Sequence, residues 1–524
     1  MRNVTPFLGE KSSTITIIPA AQASGNDVYI FLPASSGYSA GHSFTFGVTT
    51  TNNNYYEATL TIPANMSIQK GKLYTADMAL TTAIPYVTFS ALEEQTFILG
   101  TNVESLYSKL EYSVGNGEWT TIPDNVYDSP IPFGGTHGDL RLRGKSSIGT
   151  ADGSSYESNF SIISFNNVNV PVACTGDIRT LVDWENYATA ITSNAKFCKL
   201  FSDCTQLTSA PALPAINLPA ECYAMMFYGC ESLTTAPVLP ATALADGCYY
   251  MMFRGCTQLA TAPELPATAL ARNCYAMMLY GCTSLTSAPA LPATALANGC
   301  YSSMFYGCKS LATAPALLAT TLADGCYSNM FSGCSSLTTA PALPVTTLKP
   351  NCYDGMFKGC ISLTSAPELP ATTLEQSCYS GMFYGCTQLT TAPVLPATTL
   401  AQGCYNGMFN HCISLETAPE LPATILKQSC YQQMFYGCTQ LTTAPVLPAT
   451  TLVDFCYINM FNGCTKLNNI TMLATDISAT SCLEDWVDGV AENGTFTKAK
   501  DTSIPINSPS GIPEGWTVQN YTAP

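Results

Sequence analysis

Charge is scarce in this chain of 524 residues. Charged side chains make up 11 % of it, against about 25 % in an ordinary soluble protein. Basic residues are scarcer still: 20 Lys and Arg face 36 Asp and Glu, giving a net charge of −16. A nucleic-acid binder needs a basic surface to displace counterions from phosphate, so the composition argues against a nucleic-acid partner. Histidine is nearly missing as well. His42, His137 and His411 are the only three, which leaves little for general-base or metal chemistry. The chain reads as a binding or scaffold protein with no cofactor and no catalytic residues, not as an enzyme.

Long apolar runs are also lacking. Met1–Pro6 has no apolar stretch of the kind that opens a secretory signal, so the chain is expected to be unexported, mature or truncated. Residues 273–308 carry no charge, but Gly281, Pro289, Pro292, Gly299 and Gly307 interrupt them. Such a stretch would not make a satisfied helix in lipid, and no transmembrane segment is expected.

What the chain has in abundance is repetition. From Cys222 the pattern C-Y-x-x-M-F-x-G-C-x-x-L-T-x-A-P-x-L-P-A-T-x-L recurs, and its first cysteine returns every 26 residues from Cys222 to Cys482 without an insertion. A degenerate unit precedes it, with Phe197, Leu200, Phe201 and Cys204 in the Tyr, Met, Phe and second-Cys positions. A strict period predicts a solenoid in which each unit lies on identical neighbours. Within the unit, Cys222 and Met226, and Tyr223 and Phe227, stand four apart, which predicts a short helix. Gly229 falls where a left-handed cap would end that helix. Leu233, Ala236 and Leu239 follow as a short extended segment broken by Pro237 and Pro240.

The segment Phe305-Tyr306-Gly307-Cys308-Lys309-Ser310-Leu311, and its copies in the other units, resembles the BspA-like leucine-rich repeats of bacterial surface proteins. The resemblance covers roughly residues 170 to 482. It implies a cell-surface or secreted location and binding of a host or bacterial surface protein or glycan. Near the N-terminus, Gly71-Lys72-Leu73-Tyr74-Thr75-Ala76-Asp77 weakly resembles the end of a fimbrillin-like domain.

The flanks alternate apolar and polar residues, the mark of half-buried strands. The expected fold class is therefore α+β and multi-domain: a β-rich domain at 1–84, a β-sandwich at 85–170, a leucine-rich-repeat solenoid with its N-terminal cap at 171–482, and a C-terminal cap at 483–524. The N-terminal cap should hold a helix around Leu181 to Ala190, and the C-terminal cap a helix near Trp486 followed by two strands.

Cysteine is the other excess, with 24 in the chain. Twenty-two of these lie in the two periodic columns, and Cys174 and Cys198 stand apart. Spacings of 8 and 18 residues match no zinc ribbon or finger. Thiols filling a repetitive core remain one reading, and sporadic disulfides between units remain another. The methionine column (Met226, Met252, Met278 and onward) is core filler by position. His411-Cys412 is the one Cys-His adjacency, and nothing orients it as a dyad.

One column tolerates residues a core would refuse: Tyr228, Arg254, Tyr280, Tyr306, Ser332, Lys358, Tyr384, Asn410, Tyr436 and Asn462. It should therefore be exposed, and Tyr228, Arg254, Tyr280, Tyr306, Lys358, Tyr384 and Tyr436 are the candidate ligand-binding residues. Aromatic side chains bury much area at small entropic cost, which suits protein or glycan contacts. The competing reading is that these tyrosines merely cover a helix edge. At the level of the whole protein the alternative to an adhesin is a stalk or fimbria-associated subunit in which the repeats act as a spacer. Residues 382–400 and 434–452 are identical, a sign of block copying.

Overall fold

The computed structural model describes residues 85–522 apart from 102–108, 124–129, 152–158, 191, 193–194 and 501, together with the backbone of five strands before residue 85. The chain divides into two compact units, Met1–Ile84 and Pro85–Pro524. In the first unit, β1 (Ile18–Pro19) pairs with β2 (Val28–Tyr29), and β3 (Ser43–Thr49), β4 (Tyr55–Thr61) and β5 (Thr81–Thr82) form an antiparallel sheet. Residues 71–77 lie outside the described residues, and the fimbrillin resemblance with them.

The second unit opens with two facing sheets. One holds β7 (Gln95–Thr101) between β10 (Ile131–Phe133) and β12 (Ser161–Phe165). The other contains β6 (Val87–Ser90), β8 (Leu110–Val114), β9 (Thr120–Thr121), β11 (Leu140–Gly144), β13 (Val172–Thr175) and β14 (Leu207–Ser209). Strict alternation decides which face is buried: Val87 and Phe89 on β6, and Leu140 and Leu142 on β11, point inward. Phe89 meets Phe97 and Phe165 at 5.9 and 5.8 Å between ring centroids, so the sheets close on an aromatic core. A tight turn follows β8, with Gly115 at φ +59° and the Gly117 N–H donating to the Val114 carbonyl.

Pairing of β13 with β14 is parallel, and it carries the sheet into the repeats. Phe89 also contacts Phe201 of the first, degenerate repeat at 6.2 Å. From there each repeat lies on the next. The Tyr223 N–H donates to the Cys248 carbonyl at 2.9 Å, Phe227 to Met252 at 2.9 Å and Gly229 to Arg254 at 2.8 Å, and the same offset recurs down the stack.

The helices expected from the repeat spacing are a correction: no α-helix occurs among the described residues, and the α+β class does not hold. Residues 221–230 are instead a ribbon of overlapping β-turns. Even-numbered N–H groups close three-residue steps backward, as in Met226 to Tyr223 at 3.1 Å and Cys230 to Phe227 at 3.2 Å. Odd-numbered N–H groups point along the stack to the next repeat. Every fourth residue is left-handed: Glu221, Met225 and Gly229 have φ of +58°, +56° and +69°. A helix needs every N–H for its own ladder; here half of them are given to the neighbouring coil.

Neither expected cap helix forms. Residues 178–190 hold two 3₁₀ turns, Ile178–Leu181 and Tyr187–Thr189, the first capped by the Asp177 carboxylate accepting from the Arg179 N–H at 2.9 Å. Around Trp486 the turn ribbon simply continues, with Ser481, Asp485 and Gly489 left-handed. Three parallel strands follow its edge: β15 (Asn469–Met472), β16 (Thr495–Lys498) and β17 (Thr517–Asn520).

Candidate functional site

The ribbon sorts side chains by position. Tyr223, Met226, Phe227, Cys222, Cys230 and Leu233 of the first full repeat are all buried, as are their counterparts in later repeats. Two aromatic columns result. Tyrosines stack from Tyr223 to Tyr457 at 5.6–6.0 Å. Phenylalanines stack beside them, as in Phe227–Phe253 at 5.5 Å and Phe331–Phe357 at 5.8 Å, with Leu279 substituting in one repeat. Such pairs contribute about 0.5–1.5 kcal/mol beyond the area they bury.

All 24 cysteines are free and buried. Those of the second column have a defined task. From Cys230 to Cys464 each thiol donates to the Phe (or Leu279) carbonyl of the preceding repeat, as in Cys256 Sγ to Phe227 at 3.1 Å and Cys334 Sγ to Phe305 at 3.1 Å, while Cys204 donates to the Ile163 carbonyl of β12. Burial pushes the thiols up, that of Cys352 to about 11 and that of Cys412 to about 12. They are thus poor nucleophiles at neutral pH.

The column of candidate binding residues forms a stripe along the stack. Tyr228, Arg254, Tyr280, Tyr306, Tyr384 and Tyr436 are half-buried and Lys358 is exposed, whereas Ser332 and Asn410 are buried. Full exposure of the column is thereby corrected: its large side chains pack on one another along the stack. The Arg254 guanidinium sits 5.6 Å from the Tyr228 ring and 4.4 Å from that of Tyr280, within cation–π range on both sides. Tyr280 then stacks on Tyr306 at 4.4 Å. Further along, the Lys358 ammonium lies 4.7 Å from the Tyr384 ring. The stripe's ring faces are therefore largely occupied by its own members. What it presents outward is ring edges, phenolic hydroxyls and two cations, and burial beside Tyr306 raises the Tyr280 hydroxyl above its ordinary range.

One member was missed from sequence. His411 takes the place of the usual glycine, and its ring lies 5.9 Å from Tyr384 and 5.3 Å from Tyr436. It bridges the gap that Asn410 leaves in the tyrosine column, and its Nδ1 contacts the Asn410 side-chain oxygen. The signal was available: the one full repeat lacking the glycine also has a short residue just before it. A second cation–aromatic cluster lies on the six-stranded sheet, where Arg143 is held between Trp119 at 3.9 Å and Trp184 at 3.7 Å. Its Nε donates to Glu111 at 2.7 Å, so this arginine is already ion-paired, and through Trp184 it ties the segment before the repeats to the sheet.

No group of three or more potential metal ligands occurs among the described residues. The buried leucine of each unit returns at the fixed period along the stack. Residues 351–482 match in six copies the family model described as BspA type Leucine rich repeat region, and this part of the chain is of that type. No curated protein matches the chain.

Proposed function

We propose that the protein is a non-enzymatic, cell-surface or secreted binding protein whose repeats form a solenoid that holds an extracellular protein or glycan through the stripe from Tyr228 to Tyr436. The observation that carries this reading is the stacked run Tyr228–Arg254–Tyr280–Tyr306. Four successive coils place large aromatic or cationic side chains on one line, at positions where the same column elsewhere accepts Ser332, Asn410 and Asn462. Tyrosine and arginine dominate contact energies where they are pre-ordered, and stacking orders them here. No helix among the described residues is long and apolar enough to cross a membrane.

The test is a screen of the whole protein on glycan and matrix-protein arrays, repeated with Tyr280→Ala/Tyr306→Ala. Binding should weaken by about 1–3 kcal/mol in the double variant while stability changes little. Retained affinity in the double variant would remove the stripe as the site. The spacer reading is favoured by the identity of residues 382–400 and 434–452, and a protein that binds nothing on either array would support it.

A further inference from the structure

We propose that the stripe is built for a linear carboxylated polysaccharide laid along the stack, with Arg254 and Lys358 as its two anion anchors. This rests on the stripe reading above. In a chain of net charge −16, most carboxylates repel such a ligand, so the placement of unpaired cations decides where it can lie. Arg143, Lys145 and Arg179 are each held by a carboxylate. Arg254 and Lys358 make no ion pair among the described residues, and neither do the exposed Lys309 and Lys427 off the stripe. Arg254 and Lys358 instead rest on tyrosine rings, which fix the cation without neutralising it.

Arg254 is the stronger anchor. Its guanidinium is held between two rings, with one nitrogen 3.6 Å from Met251 Sδ. A pre-oriented planar fork matches a carboxylate at small entropic cost. Lys358 supplies a point charge four repeats further on, about 20 Å away at the spacing of paired strands. Between them Tyr280 and Tyr306 present edges and hydroxyls, which suit hydrogen bonds from sugar hydroxyls better than stacking under a ring. An anion every one or two sugars along an extended chain could meet both cations at once. The half-buried Asp354 lies close enough to Lys358 for the two charges to interact, and its negative charge weakens the second anchor relative to the first.

The experiment measures binding of the whole protein to polygalacturonate and, separately, to uncharged dextran. Polygalacturonate should bind and dextran should not, with affinity falling as salt rises from about 50 to about 300 mM. Arg254→Gln should weaken binding about tenfold and Lys358→Gln rather less, and the double variant more than either. Lys309→Gln and Lys427→Gln, which remove exposed cations off the stripe, should change nothing. A trimer of galacturonate, too short to span the anchors, should lose affinity with Arg254→Gln and gain no further loss from Lys358→Gln. Equal losses in all four single variants, or no binding to polygalacturonate, would overturn the proposal. If dextran or an array ligand binds and only Tyr280→Ala/Tyr306→Ala abolishes it, the stripe stands and the anionic ligand falls. If that tyrosine variant leaves every measured affinity unchanged, the stripe itself falls.

Discussion

Tyr280 and Tyr306, one repeat apart on the surface, stack at 4.4 Å with their planes 2° from parallel. The buried pair one column inward, Tyr275 and Tyr301, stands at 5.8 Å. The backbone repeat is the same for both, so the difference lies in the side chains. In the core each ring is wedged among Met, Cys and Phe neighbours and keeps the pitch of the coils. At the surface the rings are free to lean together, and the close pair is a rigid unit ready to meet a partner.

Burial of so many thiols makes the fold sensitive to alkali. In the unfolded chain a cysteine titrates near 9.0, whereas in the fold Cys352 is raised to about 11 and Cys326 and Cys464 to about 12. Between these values the unfolded state has released protons that the folded state still holds, so stability falls as pH rises. Below about pH 7.5 this contribution is fully present. Urea midpoints measured at pH 6, 7.5, 9 and 10.5 should be flat over the first two, lower at 9 and lower again at 10.5; a midpoint unchanged from 7.5 to 10.5 would contradict the burial.

The same thiols should be shielded in the native state. A thiol reagent at pH 8 should find few reactive groups in the folded protein and close to all 24 after denaturation without reductant. A denatured protein with few titratable thiols would show that the columns are paired as disulfides.

His411 occupies a left-handed position, φ +56°, that the aligned repeats fill with glycine. Its Cβ costs about 1 kcal/mol there, so His411→Gly should raise stability by about that amount while removing the exposed ring between Tyr384 and Tyr436. The readout is the denaturation midpoint. A lowered midpoint would mean that the ring contacts outweigh the backbone strain.

The sheets and the buried columns were legible in the sequence; the helices, the exposure of the stripe and the place of His411 were not. The strand alternation in β6, β7, β8 and β12 marked the sheets correctly, because one face of each is buried and side chains alternate by geometry. The unbroken period likewise put the Cys, Tyr, Met and Phe columns inside. The helix was misread because a turn ribbon that repeats every four residues buries i and i+4 together, just as a helix does. What separates the two is the left-handed residue at every fourth position. In the first three full repeats that slot holds Met225, Met251 and Met277, which no sequence rule flags. The preceding slot did carry a hint, since Gly247, Asn273, Gly299, Gly325 and Asn351 are the residues that tolerate positive φ.

The phenylalanine column should tolerate shape better than loss. Phe331→Ala removes a ring stacked on both Phe305 and Phe357 and should cost about 3–5 kcal/mol. Phe331→Leu should cost under about 1.5 kcal/mol, since Leu279 already fills this slot in another coil. Chemical denaturation of both variants checks the ordering, and equal losses would place the column outside the packed core.

The stripe exists only because successive repeats stack in register, and that is tested most directly by removing chain in units of the period. Deletion of residues 313–338 takes out one period and rejoins Ala312 to Thr339, which keeps every coil-to-coil hydrogen bond in phase. Deletion of 313–336 leaves the next coil two residues out of phase, so that columns facing the core turn into the wrong slots. Thermal unfolding followed by circular dichroism should show a single cooperative transition near that of the intact protein for the first variant, and its loss for the second. Two deletions that are equally tolerated, or equally destructive, would contradict a stack held by a 26-residue register.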